Sequence, residues 1–89
     1  MNIHTSHPDI IKRLKRAEGH LRSIITMLEG GRNCLDIAQQ LQAVESAINS
    51  AKKTLVHDHI DHCLELAVRE GNYNADDTIR EFKAITKYL

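Results

Sequence analysis

Residues 34–70 read "CLDIAQQLQAVESAINSAKKTLVHDHIDHCLELAVRE", with neither glycine nor proline anywhere in the run. Apolar residues fall at Ile37, Leu41, Val44, Ile48, Ala51 and Leu55, alternating by four and by three, which is the seam of a helical bundle. Ile60, Leu64 and Ala67 continue it less regularly. Asn33 is a good N-cap, with Asp36 three residues on, and Gly71 ends the segment. The spacing predicts one helix over 34–70, roughly 55 Å long at ~1.5 Å per residue.

The same pattern extends outward. Ile10, Leu14, Ala17, Leu21, Ile24 and Leu28 repeat the alternation and predict a helix over about 8–29. Pro8 suits its first turn, Asp9 complements its dipole, and Gly30-Gly31 terminates it. A third helix is expected over about 75–88, with Asp76 and Asp77 near its start and an apolar stripe of Ile79, Phe82, Ile85 and Leu89. The expectation is all-α: three helices in a single domain over 1–89. The outer helices, about 33 Å and about 20 Å long, cannot cover a 55 Å seam. A second copy covers the rest, most simply as an antiparallel four-helix bundle, so the chain should be an obligate oligomer.

An apolar content of 42% with 27% charge is that of a globular chain, and 3% aromatic content leaves an aliphatic core. No apolar run approaches the ~20 residues that span a bilayer. The N-terminus "MNIHTSHPDI" has neither a basic nor an apolar signal region, so a cytoplasmic location is expected, with no membrane partner. Net charge is zero, but residues 1–53 carry eight Lys/Arg against five Asp/Glu, and residues 54–89 four against seven. The basic half could meet an anion and the acidic half a cation.

The run "HDHIDHC" at 57–63 places His59 and Cys63 four residues apart, on one helical face, where both can chelate one ion. Imidazole and thiolate suit Cu(I), Zn(II), Ni(II) or Co(II). An isolated H-x-x-x-C pair is equally the polar turn of a helix whose cysteine faces the core. Cys34 is the other thiol, 25 residues before His59, or ~37 Å along a helix. One chain cannot bring it onto the pair, whereas an antiparallel partner can. Cys34 of one subunit with His59 and Cys63 of its neighbour would then form a metal site, twice per dimer. Read alone, Cys34 is a small residue in a first helical turn, where thiols are also acidified. His57 and His62 lie on other faces, towards solvent or behind the ligands. His4 and His7 sit in a segment that could fold over the site, and His20 reads as surface.

On a helical wheel Lys12, Arg13, Lys15, Arg16 and Arg22 are placed opposite the first apolar seam, a stripe able to follow phosphates or simply a solvated face. No helix-turn-helix, zinc-finger or aromatic stacking pattern accompanies it. A metal-buffering helical protein without DNA contact is the rival reading. An enzyme is not expected, and no small-molecule substrate, because a narrow bundle offers little pocket.

The run "RLKRAEGHLRSIITMLEGGRNCLDIAQQLQAVESAI", followed by "LVHDHIDHC", resembles the copper-sensitive operon repressor family (CsoR/RcnR/FrmR type) over residues 8 to 89. The resemblance implies a disc-shaped homotetramer of antiparallel homodimers. It also implies a repressor that holds the operator DNA of efflux genes when metal-free and releases it on binding the inducer. It implies Cys34, His59 and Cys63 as ligands, Glu81 as a carboxylate behind them, and Arg13 and Lys15 in the DNA-contacting surface; Lys12 and Arg16 are added from the wheel. Formaldehyde sensors of the family place proline after the initiator methionine and a non-thiol residue at the last ligand; here Asn2 and Cys63 stand there. Copper sensors share the Cys-His-Cys triad but place tyrosine where Asn33 stands. Nickel and cobalt sensors add N-terminal nitrogen ligands, for which "HTSHP" offers His4 and His7. The expected inducer is Ni(II) or Co(II), with Cu(I) as the alternative.

Overall fold

The computed structural model describes residues 6–69 and 75–89. Three helices follow in order: α1 (His7–Glu29), α2 (Cys34–Arg69) and α3 (Ala75–Thr86), and the described residues include no strand. The all-helical expectation holds. The end expected at residue 70 lies outside the described residues, and α3 stops two residues short of the expected 88. There the chain tightens into a turn, Tyr88 N–H donating to the Ile85 carbonyl and Leu89 N–H to that of Thr86.

The α1–α2 connection follows from Gly31 and Asn33. Gly31 has φ 72°, a conformation in which a Cβ would crowd the following carbonyl. It lets Arg32 N–H reach the Met27 carbonyl at 3.0 Å and Gly31 N–H reach that of Leu28 at 3.2 Å, so the last carbonyls of α1 are satisfied. Asn33 Oδ1 then accepts from the Asp36 N–H at 2.9 Å, capping α2. Asn33→Ala is expected to cost about 1 kcal/mol, read as a lower midpoint in urea unfolding with an unchanged slope.

The chain forms two compact units. The first, Pro8–Ala51, packs α1 against the beginning of α2. Its contact line takes every seventh residue: Ile10, Ala17 and Ile24 from α1, and Ile37, Val44 and Ala51 from α2, are all buried. Ile24, Ile37 and Val44 form the core cluster, with Met27 packed on it. The intervening seam positions remain exposed: Leu14 at 44%, Leu21, Leu28, Leu41 at 45% and Ile48 at 42%. Half of the apolar seam is thus spent inside one chain and half is left over.

The second unit comprises Lys52–Leu89 and the segment ending at His7. Here α2 buries Val56 and Cys63 instead of the expected Leu55 and Leu64, which are exposed, while Ile60 is half-buried. The side chain of Ala67 lies outside the described residues. From α3, Phe82 and Ile85 are half-buried, whereas Ile79 and Leu89 are exposed. The seam moves because α2 packs against α1 in one unit and α3 in the other.

Candidate metal centre

α2 and α3 bring His59, Cys63 and Glu81 together, with one candidate ligand atom from each lying within 4.8 Å of the others. His59 and Cys63 meet because four residues make about one helical turn. Glu81 reaches them from the middle of α3, its Oε1 3.4 Å from His59 Nε2. Cys63 is 2% exposed, His59 is half-buried, and the Glu81 side chain is mostly in solvent. Beside the thiol lies a hollow of about 160 Å³ lined by Cys63, Leu64, Thr78, Ile79 and Phe82. The thiol therefore has an apolar wall on one side and a carboxylate and imidazole on the other.

Burial raises the Cys63 thiol above its ordinary pKa, and the Glu81 carboxylate pushes it further the same way. Both favour the neutral thiol. Folding therefore holds this proton more tightly than the unfolded chain does. Its contribution to stability is complete below the ordinary thiol value and is lost as pH rises through the higher folded value. Without added metal, the thermal midpoint should fall between pH 8 and 10, and fall less steeply in Cys63→Ala. Parallel curves would exclude Cys63 as the cause.

The remaining candidates divide. Cys34 is the exposed first residue of α2 and does not belong to the His59–Cys63–Glu81 group. His4 lies outside the described residues. His7 opens α1 and falls within the same compact unit as the group. His57 is exposed and His62 half-buried.

Two expectations for α1 need correction. Arg13 does not stand opposite the seam. It flanks the α1–α2 contact, paired with Asp9 at 2.9 Å and lining a hollow beside buried Ala17. The cause is angular: three residues from Ile10 make ~300° of turn, only ~60° from the buried line. His20 is not plain surface either; it is half-buried and hydrogen-bonded through Nε2 to Gln40 Oε1. Lys12, Lys15 and Arg16 are exposed, as a phosphate-facing role requires. The sequence reading missed the opposing wall of this hollow, Ala47 and Ser50. Their signal was small residues three apart on α2, facing Arg13, Arg16 and His20 at helical spacing on α1.

Residues 6–88 match the family described as metal-sensitive transcriptional repressor. The copper-sensing transcriptional repressor RicR of Mycobacterium tuberculosis (strain ATCC 25618 / H37Rv) is 41% identical over 73 residues, 82% of this chain and 76% of that protein. The copper-sensing transcriptional repressor CsoR of Bacillus subtilis (strain 168) is 38% identical over 80 residues, 88% of this chain and 79% of that protein. The chain spans just over half the length of the mycobacterial CsoR proteins it also matches. Among solved structures, the nickel-responsive transcriptional regulator InrS superposes with a TM-score of 0.83 at 29% identity, covering 100% of this chain and 99% of that one. The family consists of transcriptional repressors, not enzymes, and among the described residues no helix is long and apolar enough to cross a membrane. With a donor group set between α2 and α3, this chain belongs to the metal-sensitive transcriptional repressors.

Proposed function

We propose that this chain is a homo-oligomeric repressor that holds operator DNA when metal-free and releases it when a late transition-metal ion binds at His59 and Cys63, derepressing metal efflux genes. The observation that carries this reading is the convergence of an imidazole, a buried thiol and a carboxylate at one point of a chain from a repressor family. Nitrogen and sulfur donors suit soft and borderline ions. Glu81 faces Nε2 of His59, and a carboxylate there orients the ring, as outer partners of metal-bound histidines do. Cys34 completes the set from a neighbouring subunit, because 25 helical residues amount to ~37 Å and no ligand bond exceeds ~2.3 Å.

The self-partner is supported by the leftover half of the apolar seam, which a second antiparallel copy would cover. The homotetramer implied by the family resemblance would pair two such dimers. The DNA partner is supported by exposed Lys12, Lys15 and Arg16 and by Arg13 beside them. If the ligands close only in a conformer that misaligns these basic faces, binding the ion shifts the population away from the DNA-competent state.

Ni(II) or Co(II) is the proposed inducer, supported by His7 in the unit that holds the donor group and by the fold shared with a nickel-responsive regulator. Cu(I) is a second reading, favoured by the copper-sensing relatives and by a thiol beside an apolar hollow.

The test uses a duplex selected from a random-sequence library by the metal-free protein, titrated in turn with Ni(II), Co(II) and Cu(I). The inducing ion should weaken DNA affinity about 5–150-fold, the range of ordinary allosteric coupling. Unchanged affinity with an ion demonstrably bound would end this reading. Ni(II) absorption bands lost in a His4/His7 double variant would support nickel; colourless binding of one Cu(I) per subunit would favour copper.

A further inference from the structure

We propose that the hollow on the flank of the α1–α2 contact is a seat for one phosphate of the DNA backbone, with His20, held by Gln40, as its positioning residue. The proposal rests on the reading of the chain as a DNA-binding protein and assigns a particular cleft and wall to that contact. The hollow has a volume of about 490 Å³ and is lined by Arg13, Arg16, Ala17, His20, Ala47 and Ser50. One wall carries two guanidinium groups and an imidazole, and the other a methyl group and a hydroxyl. Guanidinium matches phosphate geometrically, offering N–H donors in a planar fork. Asp9 engages Arg13 through Nε, which fixes the group, and four of its five N–H donors lie beyond that contact.

His20 sits where the two walls meet. Its bond to Gln40 spans α1 and α2 and holds the imidazole at the edge of the hollow. Ala47 keeps the opposite wall low. At ~100° per residue, the buried line Ile10–Ala17–Ile24 divides α1 into two flanks, Leu14 and Leu21 on one and Arg13, Arg16 and His20 on the other. On α2, Ile37–Val44–Ala51 likewise separates Leu41 and Ile48 from Gln40, Ala47 and Ser50. A second copy seated on the apolar flank therefore leaves the basic flank open. A phosphate seat is also a different contact from a loose stripe of lysines: it fixes the position of the backbone against α1.

The test measures affinity of the full-length, metal-free protein for a random-sequence duplex across salt concentrations. Ala47→Leu, which fills the hollow without changing charge, should weaken binding several-fold. It should also reduce the slope of log affinity on log salt by about 1 for each hollow engaged. Ser50→Glu should do the same. His20→Ala should lose affinity, and His20→Gln, able to keep a bond to Gln40, should recover most of it. Metal stoichiometry and helix content, unchanged in each variant, exclude misfolding.

If Ala47→Leu leaves affinity and slope untouched while Lys12→Glu lowers both, the seat is wrong and DNA binding stands. If the wild type binds no duplex even at low salt, both fall. Inorganic phosphate, titrated alone, is the remaining arm. Tight phosphate binding abolished by Ala47→Leu, with DNA affinity unchanged, would make the hollow a free-anion site and overturn the proposal.

Discussion

Subunits carrying Cys34→Ala, mixed with subunits carrying Cys63→Ala, should regain one intact metal site per mixed dimer. Each variant alone should bind the inducing ion more weakly than wild type by more than the 10–100-fold that loss of an outer partner costs. The reasoning is topological. In an antiparallel pair with shared sites, one site needs Cys34 of the first chain with His59 and Cys63 of the second, and the other site needs the reverse. Mixing places both substitutions in one site and leaves the other whole. A site built within a single chain from His59, Cys63 and Glu81 does not use Cys34, so Cys34→Ala alone would then bind at wild-type affinity. Separately tagged variants, co-purified through both tags and titrated with Ni(II) or Cu(I), give the stoichiometry directly. Half-occupancy at wild-type affinity in the mixture, with weakened binding by each variant alone, supports the shared site; wild-type binding by Cys34→Ala alone, or no recovery on mixing, overturns it. Glu81 would be untouched in every species, so its contact with His59 cannot produce the difference.

Much of this was legible in the sequence, for reasons that differ from residue to residue. The helices were visible because their apolar positions repeat by fours and threes, and their ends because Gly31 and Asn33 are residue types that ends require. His59 and Cys63 were visible as a pair because helical spacing alone puts them on one face. Glu81 was not, since no local rule links residue 81 to residue 59; it entered only through the family resemblance. A core-facing Cys63 was one of two readings of the pair, and the choice between it and Leu64 stayed open because it depends on which side of α2 receives α3. His20 was misread because a polar residue ~60° from the seam suits either solvent or a cross-helix bond. The choice lies with Gln40, twenty residues away. Periodicity reports the centre of a helix face reliably and its flanks poorly, and the basic hollow lies on a flank.

Ile48→Asp should abolish the oligomer and, with it, the fold. Ile48 is 42% exposed in the single chain, level with Leu41 and Leu14 on the same flank, so by itself it looks like a tolerable surface position. In an assembly that covers this flank it becomes an unpaired carboxylate in an apolar interface, at a cost on the order of 3 kcal/mol per subunit. Symmetry repeats the charge in every copy. The monomer has little in reserve: its α1–α2 unit buries Ile10, Ala17, Ile24, Ile37, Val44 and Ala51, two of them alanines, with Met27 against the central cluster. At about 1.5–3 kcal/mol per buried side chain, a cluster of that size does not offset the conformational entropy of ordering the helices. Loss of association and loss of helix content should therefore coincide, with a midpoint that depends on protein concentration in the wild type. Ser46→Asp, on the exposed outer face of α2 two residues earlier, is the matched control and should shift stability by no more than about 0.5 kcal/mol. Sedimentation and circular dichroism on the two variants decide the matter. A folded, monomeric Ile48→Asp protein with wild-type thermal stability would make the leftover seam ordinary surface, and Cys34 would then have no neighbour from which to reach His59 and Cys63.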